Sequence, residues 1–494
     1  MRHNASPIFW KNIPLASCET KTEKVMALTS FKRGKFDLSE VKSVHVVGAG
    51  GAGMNAIAAV LLASGYLVSG SDLRESAGVN RLRSLGARVA IGHSAGNLDG
   101  SQILCRSTAV PDDNPEIVEA RRLGINVLSR AEILAAICAT KKTVAVSGTH
   151  GKTTTSSMLA LALTDSGLMP SFIVGGDLND IGSGAVWNER GDLFVVEADE
   201  SDGTFLQLKA EAAVVTNVEA DHLDYFGSYE ALLDAFEIFL RSASGPRVVC
   251  VDDPSASNIA AKVGGCVTYG QSSLSTYRIE DIEGHRYSSS FKISFGNKVV
   301  AQCNLPIPGV HNVLNATAAF VTAVELGADP ESVTSALGKF AGVARRFEFR
   351  GEQNNVVYVD DYAHLPTEVS SVLAAAKVGE WQRVVAVFQP HRFSRTAQLW
   401  KDFADSFVDA DHVVLTGIYG AGETAQPGIT GELVARAVLE ANPHTSLTYI
   451  SERNQVAEYL DSVLQPGDLC LTMGAGDLTS VADEVQHRRK ALDK

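Results

Sequence analysis

The sequence predicts an α/β protein of three domains, and three observations lead to that prediction. The chain has 494 residues, and at about 150 residues per domain three is the expected number. Hydrophobic residues make up 45% and charged residues 20% of the chain, which is typical of a folded protein with enough apolar material for buried sheets. Short β-branched runs that end in glycine or polar residues alternate with helical stretches along the chain.

The first such run lies between Ser43 and Asp72 and contains the pattern G-x-G-x-x-G, followed by an acidic residue at the end of the next strand. Such a loop lets the backbone approach a pyrophosphate, while the acidic residue reaches a ribose hydroxyl. The residues alone leave three interpretations open: an NAD(P) site, a site for another nucleotide such as a UDP-sugar, or a tight turn that only packs. The candidate residues are Gly48, Gly50, Gly51, Ala52, Gly53 and Asp72.

A polar segment, CRSTAVPDDN, follows the strand-like run that ends at Cys105. Open α/β sheets present their ligand-binding loops at such strand ends, which makes Ser107 a candidate ligand contact. Simple turn polarity explains the same residues equally well. A helix is predicted to open near Ser129.

The segment TVAVSGTHGKTTT predicts a phosphate-binding loop between a strand and a helix. Lys152 can reach the terminal phosphates of ATP, and the Thr153 hydroxyl can ligate Mg²⁺. The general pattern is incomplete, because Val146 stands where its first glycine is expected. The loop residues are Gly148, Thr149, His150, Gly151, Lys152, Thr153 and Thr154.

Acidic residues end the next two strand-like runs, in EADESD and in NVEADHLD. Carboxylates at the carboxyl ends of parallel strands beside a phosphate loop are placed to hold Mg²⁺ against ATP. The candidates are the residues that end these two runs, and a solvent-facing charged strand end is the alternative: Glu197, Asp199, Glu200, Asp202, Asn217, Glu219, Asp221, His222 and Asp224. Residues 270–305 read as a small β-rich insert, and Asn312 and Asn315 could pair with an adenine edge.

Beyond residue 343 a third α/β block contains the compact cationic cluster of His391, Arg392 and Arg395. Such a cluster suits a small carboxylate or a phosphate, with a surface ion-pair role as the alternative.

Charge and composition exclude several classes of partner. The formal charge of −14 and the lack of a basic stripe argue against nucleic acid. No run approaches the ~18 apolar residues of a membrane span. The seven cysteines are scattered singly, which favours reduced thiols in a cytoplasm. Residues 1–38 lack periodicity and the apolar core of a signal peptide, so a loose extension is predicted there.

Seven motifs in this order resemble those of the Mur ligases of peptidoglycan synthesis, over roughly residues 42–485: GTHGKTTT, EADESD, NVEADHLD, HNVLNATAA, RRFEFRG, DDYAHLPTE and FQPHRFSRT. The resemblance implies a Rossmann-like UDP-sugar domain at 39–138, a central P-loop ATPase domain with a mostly parallel sheet at 139–342, and a Rossmann-like amino-acid domain at 343–494. It also implies that the first glycine loop serves UDP.

The implied reaction is the ATP-dependent joining of L-alanine to the lactyl carboxylate of UDP-N-acetylmuramate through an acyl phosphate, with Mg²⁺ or Mn²⁺. The expected protein is a cytoplasmic monomer or homodimer that acts on small molecules, without nucleic-acid or membrane partners. The alternatives are a tripeptide-recycling ligase of the same family, an NAD(P)-dependent oxidoreductase with an accessory nucleotide domain, and a non-catalytic nucleotide-binding regulator.

The resemblance also implies roles for single residues. Lys152 and His222 are the implied catalytic residues, and Thr153, Glu197 and His222 the implied metal ligands. Implied nucleotide contacts outside the phosphate loop are Asn312, Asn315, Arg346 and Asp361. The implied alanine pocket consists of Tyr362, His364, His391, Arg392 and Arg395.

Two positions deserve comparison with the family pattern. Many relatives carry a carbamylated lysine about 15 residues after the equivalent of His222, but Phe236 and Glu237 occupy that neighbourhood here, as expected of the alanine-adding branch. Leu365 stands where the family usually has a second histidine. We expect His364 to be the functional imidazole and Leu365 to pack inward.

Overall fold

The structure, a computed structural model, describes residues 36–98 and 100–492. These residues form three α/β domains in chain order, each built on its own β-sheet, as the sequence predicts. The extension predicted at 1–38 lies outside the described residues except for its last three. Of these, Leu38 is buried in the first domain's core, so the end of the extension is packed rather than loose.

The first domain is a parallel sheet of five strands in the order β3-β2-β1-β4-β5. Its elements are β1 (Ser43–Val47), α1 (Ala52–Ala63), β2 (Leu67–Asp72), α2 (Ala77–Ser84), β3 (Arg88–Ile91), β4 (Ile103–Arg106), α3 (Pro115–Leu123), β5 (Asn126–Ser129) and α4 (Arg130–Cys138). Strand β1 is central and its valines are buried because helices cover both faces of the sheet. Helix α4 begins after Ser129, which forms a capping box with Glu132.

The second domain contains a ten-stranded sheet in the order β15-β14-β13-β12-β11-β10-β6-β9-β7-β8. Its strands are β6 (Lys142–Ser147), β7 (Ser171–Leu178), β8 (Ser183–Val186), β9 (Leu193–Glu197), β10 (Ala210–Val215), β11 (Arg247–Cys250), β12 (Val267–Gly270), β13 (Tyr277–Gly284), β14 (Ser289–Phe295) and β15 (Lys298–Leu305). Its helices are α5 (Lys152–Asp165), α6 (Leu223–Phe226), α7 (Tyr229–Ser242), α8 (Pro254–Val263), α9 (Val310–Glu325) and α10 (Pro330–Leu337).

Strands β13 to β15 pair antiparallel with one another and extend the main sheet through β12. The β-rich insert expected at 270–305 is therefore an edge of the central sheet rather than a separate unit. Strand β6 lies inside the sheet, between β9 and β10, and α5 is buried on nearly every side because it packs between the sheet and α9. This burial fixes the strand–helix junction where the phosphate loop lies.

The third domain has a six-stranded sheet in the order β16-β17-β21-β18-β19-β20, parallel except for the edge strand β16. Its strands are β16 (Glu348–Gln353), β17 (Val356–Asp361), β18 (Arg383–Phe388), β19 (His412–Thr416), β20 (Leu447–Ile450) and β21 (Asp468–Met473). Its helices are α11 (Pro366–Lys377), α12 (Phe393–Leu399), α13 (Glu432–Ala441), α14 (Val456–Val463) and α15 (Val481–Leu492).

An aromatic cluster packs behind the acidic loop that follows β9. The Phe205 ring lies 5.1 Å from that of Phe236 and 5.3 Å from that of Phe239, and all three rings are fully buried. Residues of this size bury enough apolar area to contribute roughly 1.5–3 kcal/mol each. The neighbourhood of the family's lysine is thus part of the hydrophobic core.

None of the helices within the described ranges combines the length and the apolar character needed to cross a bilayer. The six described cysteines are free thiols, and all except Cys266 are buried. Cys18 lies outside the described residues.

Candidate active site

The phosphate loop turns sharply between β6 and α5. Gly148 and Gly151 adopt φ values of +133° and +80°, which side chains disfavour. A β-carbon at Gly151 would collide with the Asn315 amide, and one at Gly148 with the Thr216 hydroxyl. Val146 is a buried β6 residue paired with Glu197 and Val214, so the tight turn needs only the two later glycines.

Lys152 points back into this loop. Its ammonium donates to the Gly148 carbonyl at 2.7 Å, to the Thr149 carbonyl at 3.3 Å and to Glu200 Oε1 at 2.9 Å. Burial lowers the pKa of Lys152, but the carboxylates of Glu200 and its acidic neighbours outweigh burial and raise that pKa above its ordinary value. A positive charge is therefore held where the terminal phosphates of a nucleotide would lie.

Glu200 forms the other half of this pair. Its side chain is buried, and its Oε2 atom has no hydrogen-bond partner. Burial raises the pKa of Glu200 to about 7 even though Lys152 opposes the shift. A buried carboxylate oxygen without a hydrogen-bond partner is uncommon in folded proteins.

Thr153 and Glu197 meet at the end of β9. The Thr153 hydroxyl lies 3.0 Å from Glu197 Oε2, which also accepts the Gly175 N–H at 2.7 Å. His222 lies on the neighbouring loop, with Nε2 3.3 Å from Asp221 Oδ2, and burial lowers its pKa. A hydroxyl, a carboxylate and a neutral imidazole are chemically suited to a divalent cation.

Within residues 36–98 and 100–492, no three His, Cys, Asp or Glu side chains are grouped as a protein-only metal site. The donor set fits Mg²⁺ in the manner usual for nucleotide enzymes, in which one or two carboxylates share the ion with phosphate oxygens and water.

A cavity of about 290 Å³ lies between the second and third domains, and seven predicted nucleotide contacts line it. These are His150, Gly151, Thr154, Asn312, Asn315, Arg346 and Asp361. Burial raises the pKa of Asp361 to about 6, opposed by Arg346 and by the N–H groups of Phe347 and Ala363.

The two asparagine amides already have partners in the protein. Asn312 Nδ2 donates to the Pro308 carbonyl at 2.8 Å, and Asn315 Oδ1 accepts from the Thr155 hydroxyl at 3.2 Å. Asn315 therefore also holds the first turn of α5, which follows the phosphate loop, and both asparagines line the cavity.

Other lining residues were not predicted: Asp252, Asp253 and Tyr269. The signal for the two aspartates was present in VVCVDDP, a strand with an acidic exit like the two that were singled out.

The cationic cluster lies beside an aromatic group in the third domain. Arg395 Nη1 is 3.1 Å from His391 Nδ1, and the His391 ring lies 5.7 Å from that of His364. Tyr362 packs edge-on against His364, and the guanidinium of Arg346 lies 5.1 Å from the Tyr362 ring centre.

Arg392 opens α12 with φ of +68°, and its N–H donates to the carbonyl of Tyr419. The ring of Tyr419 stacks on His391 at 5.8 Å, a contact that the sequence did not reveal because residue 419 lies on a different loop. Burial and the nearby cations lower the pKa of His391 to about 4, so the imidazole is neutral near pH 7.

This cluster reaches the second domain. Arg395 Nη2 is 3.8 Å from Oδ2 of Asp221, the residue before His222. The cationic cluster therefore approaches the loop after β10, where His222 lies within electrostatic reach of both Lys152 and Arg395.

The predicted sugar-nucleotide residues also come together. Gly48 has φ of +78°, and its α-carbon faces Ser107 closely enough that a β-carbon would lie 3.0 Å from that side chain. The Gly50 N–H donates to Asp72 Oδ2 at 2.9 Å. Gly51 and Ala52 start α1, whose amide groups point toward this turn.

Arg130 was not predicted, although it lies between the first glycine loop and the acidic loop. A β-carbon at Gly53 would lie 3.2 Å from Arg130 Nη1, and Arg130 Nη2 is 3.4 Å from both Asp199 and Asp202. Its position directly after the capping residue Ser129 was the available signal.

A buried carboxylate lies at the carboxyl edge of the first sheet. Glu116 is fully buried, and its two oxygens accept from Ser71 at 2.5 Å, from Ser94 N–H at 3.1 Å and from Asn97, while His45 Nε2 lies 3.3 Å away. These hydrogen bonds outweigh burial, which alone would raise the pKa, and lower the pKa of Glu116 to about 2. Sequence reasoning did not single out this network, because its members come from four separate segments.

Known protein families match this chain along almost its whole length. Three family models match in order: the Mur ligase family catalytic domain at residues 43–142, the Mur ligase middle domain at 146–323 and the Mur ligase glutamate ligase domain at 345–476. A UDP-N-acetylmuramate–L-alanine ligase from Geobacter sp. (strain M21) is 43% identical over 92% of this chain and 98% of its own. A protein of the same name from Thermobifida fusca (strain YX) is 44% identical over 91% and 97%.

Solved structures agree with the fold. The crystal structure of UDP-N-acetylmuramate-alanine ligase MurC from Thermotoga maritima superposes with a TM-score of 0.77 at 30% identity, covering 92% of this chain and 100% of that one. A murein peptide ligase from Psychrobacter arcticus 273-4 shares the fold with a TM-score of 0.64 at 24% identity, covering 90% and 98%.

Proposed function

The chain belongs to the Mur ligase family, and from that premise we propose that it joins L-alanine to the lactyl carboxylate of UDP-N-acetylmuramate, with ATP converted to ADP and phosphate. The observation that carries the proposal is that third-domain residues line the same cavity as the phosphate loop, while Arg395 of the cationic cluster lies 3.8 Å from Asp221, beside His222. Full-length similarity to alanine ligases supports alanine as the amino acid.

The first step is the attack of the sugar-borne carboxylate on the γ-phosphorus of ATP, which forms an acyl phosphate and releases ADP. Its barrier is largely electrostatic, because two anions must approach each other. Lys152 supplies a buried positive charge at the loop, held in place by two carbonyls and by Glu200. A divalent ion, Mg²⁺ or Mn²⁺, held by Thr153 and Glu197 with His222 nearby, would further neutralise the phosphate oxygens when bound.

The second step is the attack of the alanine amine on the acyl carbon, which expels phosphate. Arg392 and Arg395 are suited to the alanine carboxylate, since guanidinium groups bind carboxylates with directed hydrogen bonds. His391 and His364 are neutral near pH 7 because burial lowers the pKa of each, so they do not repel the incoming amine. Closure of the third domain over the loop would exclude water from the acyl phosphate.

The first domain is suited to the UDP part of the sugar nucleotide. Its glycine turn, Asp72 and Ser107 lie together at the carboxyl edge of the parallel sheet, where such sheets bind nucleotides. The free, mostly buried cysteines favour a reducing compartment, and we infer a cytoplasmic location on that basis. We retain the expectation of a monomer or homodimer without nucleic-acid or membrane partners.

The test is phosphate release by the purified chain with UDP-N-acetylmuramate and ATP, with each amino acid added in turn. Alanine should give the highest kcat/KM, and Lys152→Ala should reduce release to the background rate. Release stimulated by the tripeptide L-alanyl-γ-D-glutamyl-meso-diaminopimelate instead of alanine would assign the chain to the recycling ligases. Hydride transfer from NAD(P)H without phosphate release would reject the proposal.

A further inference from the structure

His150 belongs to the phosphate loop, but its imidazole is directed toward the third domain. Nδ1 lies 3.1 Å from Glu368 Oε1 on α11, and Nε2 lies 3.1 Å from Glu219 Oε2 on the loop after β10. The Thr367 hydroxyl is 3.1 Å from Nε2 and donates to Glu219 at 2.9 Å. A residue expected to serve only the nucleotide thus bridges two domains.

The geometry favours a protonated ring, because a carboxylate lies 3.1 Å from each ring nitrogen and a carboxylate can only accept a hydrogen bond. The side chain is only 15% exposed, and although burial lowers the pKa of His150, Glu219 and Glu368 raise it to about 9. Arg346 and His364 face Glu368 from its other side and are the further titratable groups around the bridge.

Glu368 carries the contact into the alanine pocket. Its Oε2 atom accepts the backbone N–H of His364 at 2.9 Å and that of Leu365 at 3.1 Å. His364 in turn contacts the rings of Tyr362 and His391. The same carboxylate therefore holds the loop histidine with one oxygen and the backbone of the pocket with the other.

The backbone of His150 is fixed by the second domain. Its N–H donates to Asn217 Oδ1 at 2.8 Å, and its carbonyl accepts from Asn217 Nδ2 at 3.1 Å. Because both backbone groups of His150 are held in this way, a change in the shape of the phosphate loop would directly move the His150 imidazole relative to α11.

We propose that His150 is a positioning residue that couples a correctly formed phosphate loop to the alanine pocket, by binding the first turn of α11 through Glu368. The inference rests on the proposed function for the identity of the amino acid. It predicts that the nucleotide-loaded enzyme binds alanine tightly only while this bridge is intact.

The other end of α11 offers a matched control. Arg286, at the tip of the β13–β14 hairpin, donates to the carbonyls of Gly379 at 2.5 Å and Glu380 at 2.8 Å, and lies 4.3 Å from the Trp381 ring centre. This contact also joins the second and third domains, just beyond the last residue of α11, but it does not touch the phosphate loop or the pocket.

The experiment compares steady-state kinetics of wild type, His150→Ala, His150→Gln and Arg286→Gln. His150→Ala should raise KM for alanine about tenfold or more, the factor that about 1.4 kcal/mol of lost interaction produces. KM for ATP should change by less than about threefold, because Lys152 and the loop amides remain. His150→Gln can donate to one carboxylate, so its KM for alanine should lie between those of wild type and His150→Ala. Added imidazole should partly lower the KM for alanine of His150→Ala.

Two results would overturn the inference: an unchanged alanine KM in both His150 variants, or an equal rise in Arg286→Gln. If His150→Ala fails to fold, as judged by circular dichroism, His150→Gln decides. KM for alanine is measured against pH for wild type and for His150→Ala, and the ratio of the two values removes the titration of alanine itself. The difference between the two enzymes should become smaller as the pH rises through about 9, where His150 loses its proton. A gap that stays constant through that range contradicts a protonated bridge.

A second readout does not depend on which amino acid is used. Small-angle X-ray scattering with a non-hydrolysable ATP analogue and UDP-N-acetylmuramate should show compaction of wild type and Arg286→Gln but not of His150→Ala. Compaction of all three rejects the role of His150. If wild type compacts but alanine does not stimulate phosphate release, the proposed function fails while the bridge stands.

Discussion

Glu116→Gln should destabilise the first domain strongly, although the two side chains have the same shape. In the wild type, donors approach both carboxylate oxygens: Ser71 and His45 reach Oε2, while Ser94 N–H and Asn97 reach Oε1. A glutamine can keep its oxygen toward Ser94 N–H and Asn97 only if its NH₂ group faces Ser71 and His45, which must then give up their own donation, and it lacks the negative charge that all four donors stabilise.

The magnitude follows from the pKa of the carboxyl group. Its fall from 4.5 to about 2 is roughly 2.5 units, or about 3 kcal/mol at about 1.36 kcal/mol per unit. Because the folded pKa is below the unfolded value, this stabilisation is complete above about pH 4.5 and is lost as the pH falls toward about 2. For a domain of about 100 residues the loss lowers the melting temperature by about 10 °C or more.

The assay is differential scanning calorimetry of the full chain at several pH values, with Glu119→Gln as the control. Glu119 lies on the same helix, three residues on, and pairs only with exposed Arg122, so its substitution should shift the first transition by about 1 °C or less. Equal shifts for the two variants at pH 7 would refute the reasoning. So would a Glu116→Gln deficit that is as large at pH 3 as at pH 7.

Three further predictions concern the site. Arg395→Ala should raise KM for alanine about 10- to 100-fold, the loss expected for hydrogen bonds to a charged group, and steady-state kinetics with varied alanine would show it; an unchanged KM would remove Arg395 from the pocket. Glu200→Gln should lower kcat, because buried Lys152 loses its charged partner, and should leave alanine KM nearly unchanged; wild-type turnover in a phosphate-release assay would contradict this. Leu365→His should lower the melting temperature without raising kcat, since the Leu365 side chain is 5% exposed, and higher turnover would show that a second imidazole was missing.

The parts of the site that the sequence predicted are those encoded by contiguous residues. The phosphate loop could be predicted because strand, glycines, Lys152 and helix follow one another within about a dozen positions. The inward packing of Leu365 is confirmed, because an apolar residue before a helix has a strong tendency toward burial.

The residues that were missed come from separate elements brought together by folding. Tyr419 stacks on His391 from the loop after β19, and Arg130 reaches the acidic loop from the start of α4. Glu368 looks like an ordinary residue of a first helical turn, where acidic side chains are common. Its contact with His150 depends on how the second and third domains are placed, which local sequence patterns do not encode.

The second domain contacts the third near both ends of α11, through His150 at its first turn and through Arg286 just beyond its last residue. This arrangement has a mechanical consequence. A helix of 12 residues is about 18 Å long. If the Arg286 contact serves as a pivot, a rotation of about 10° displaces the far end by about 3 Å over that length. A displacement of this size would break the contact between Glu368 and His150 and widen the space between the second and third domains. A slight rotation of the third domain would thus be enough to let substrates enter and products leave.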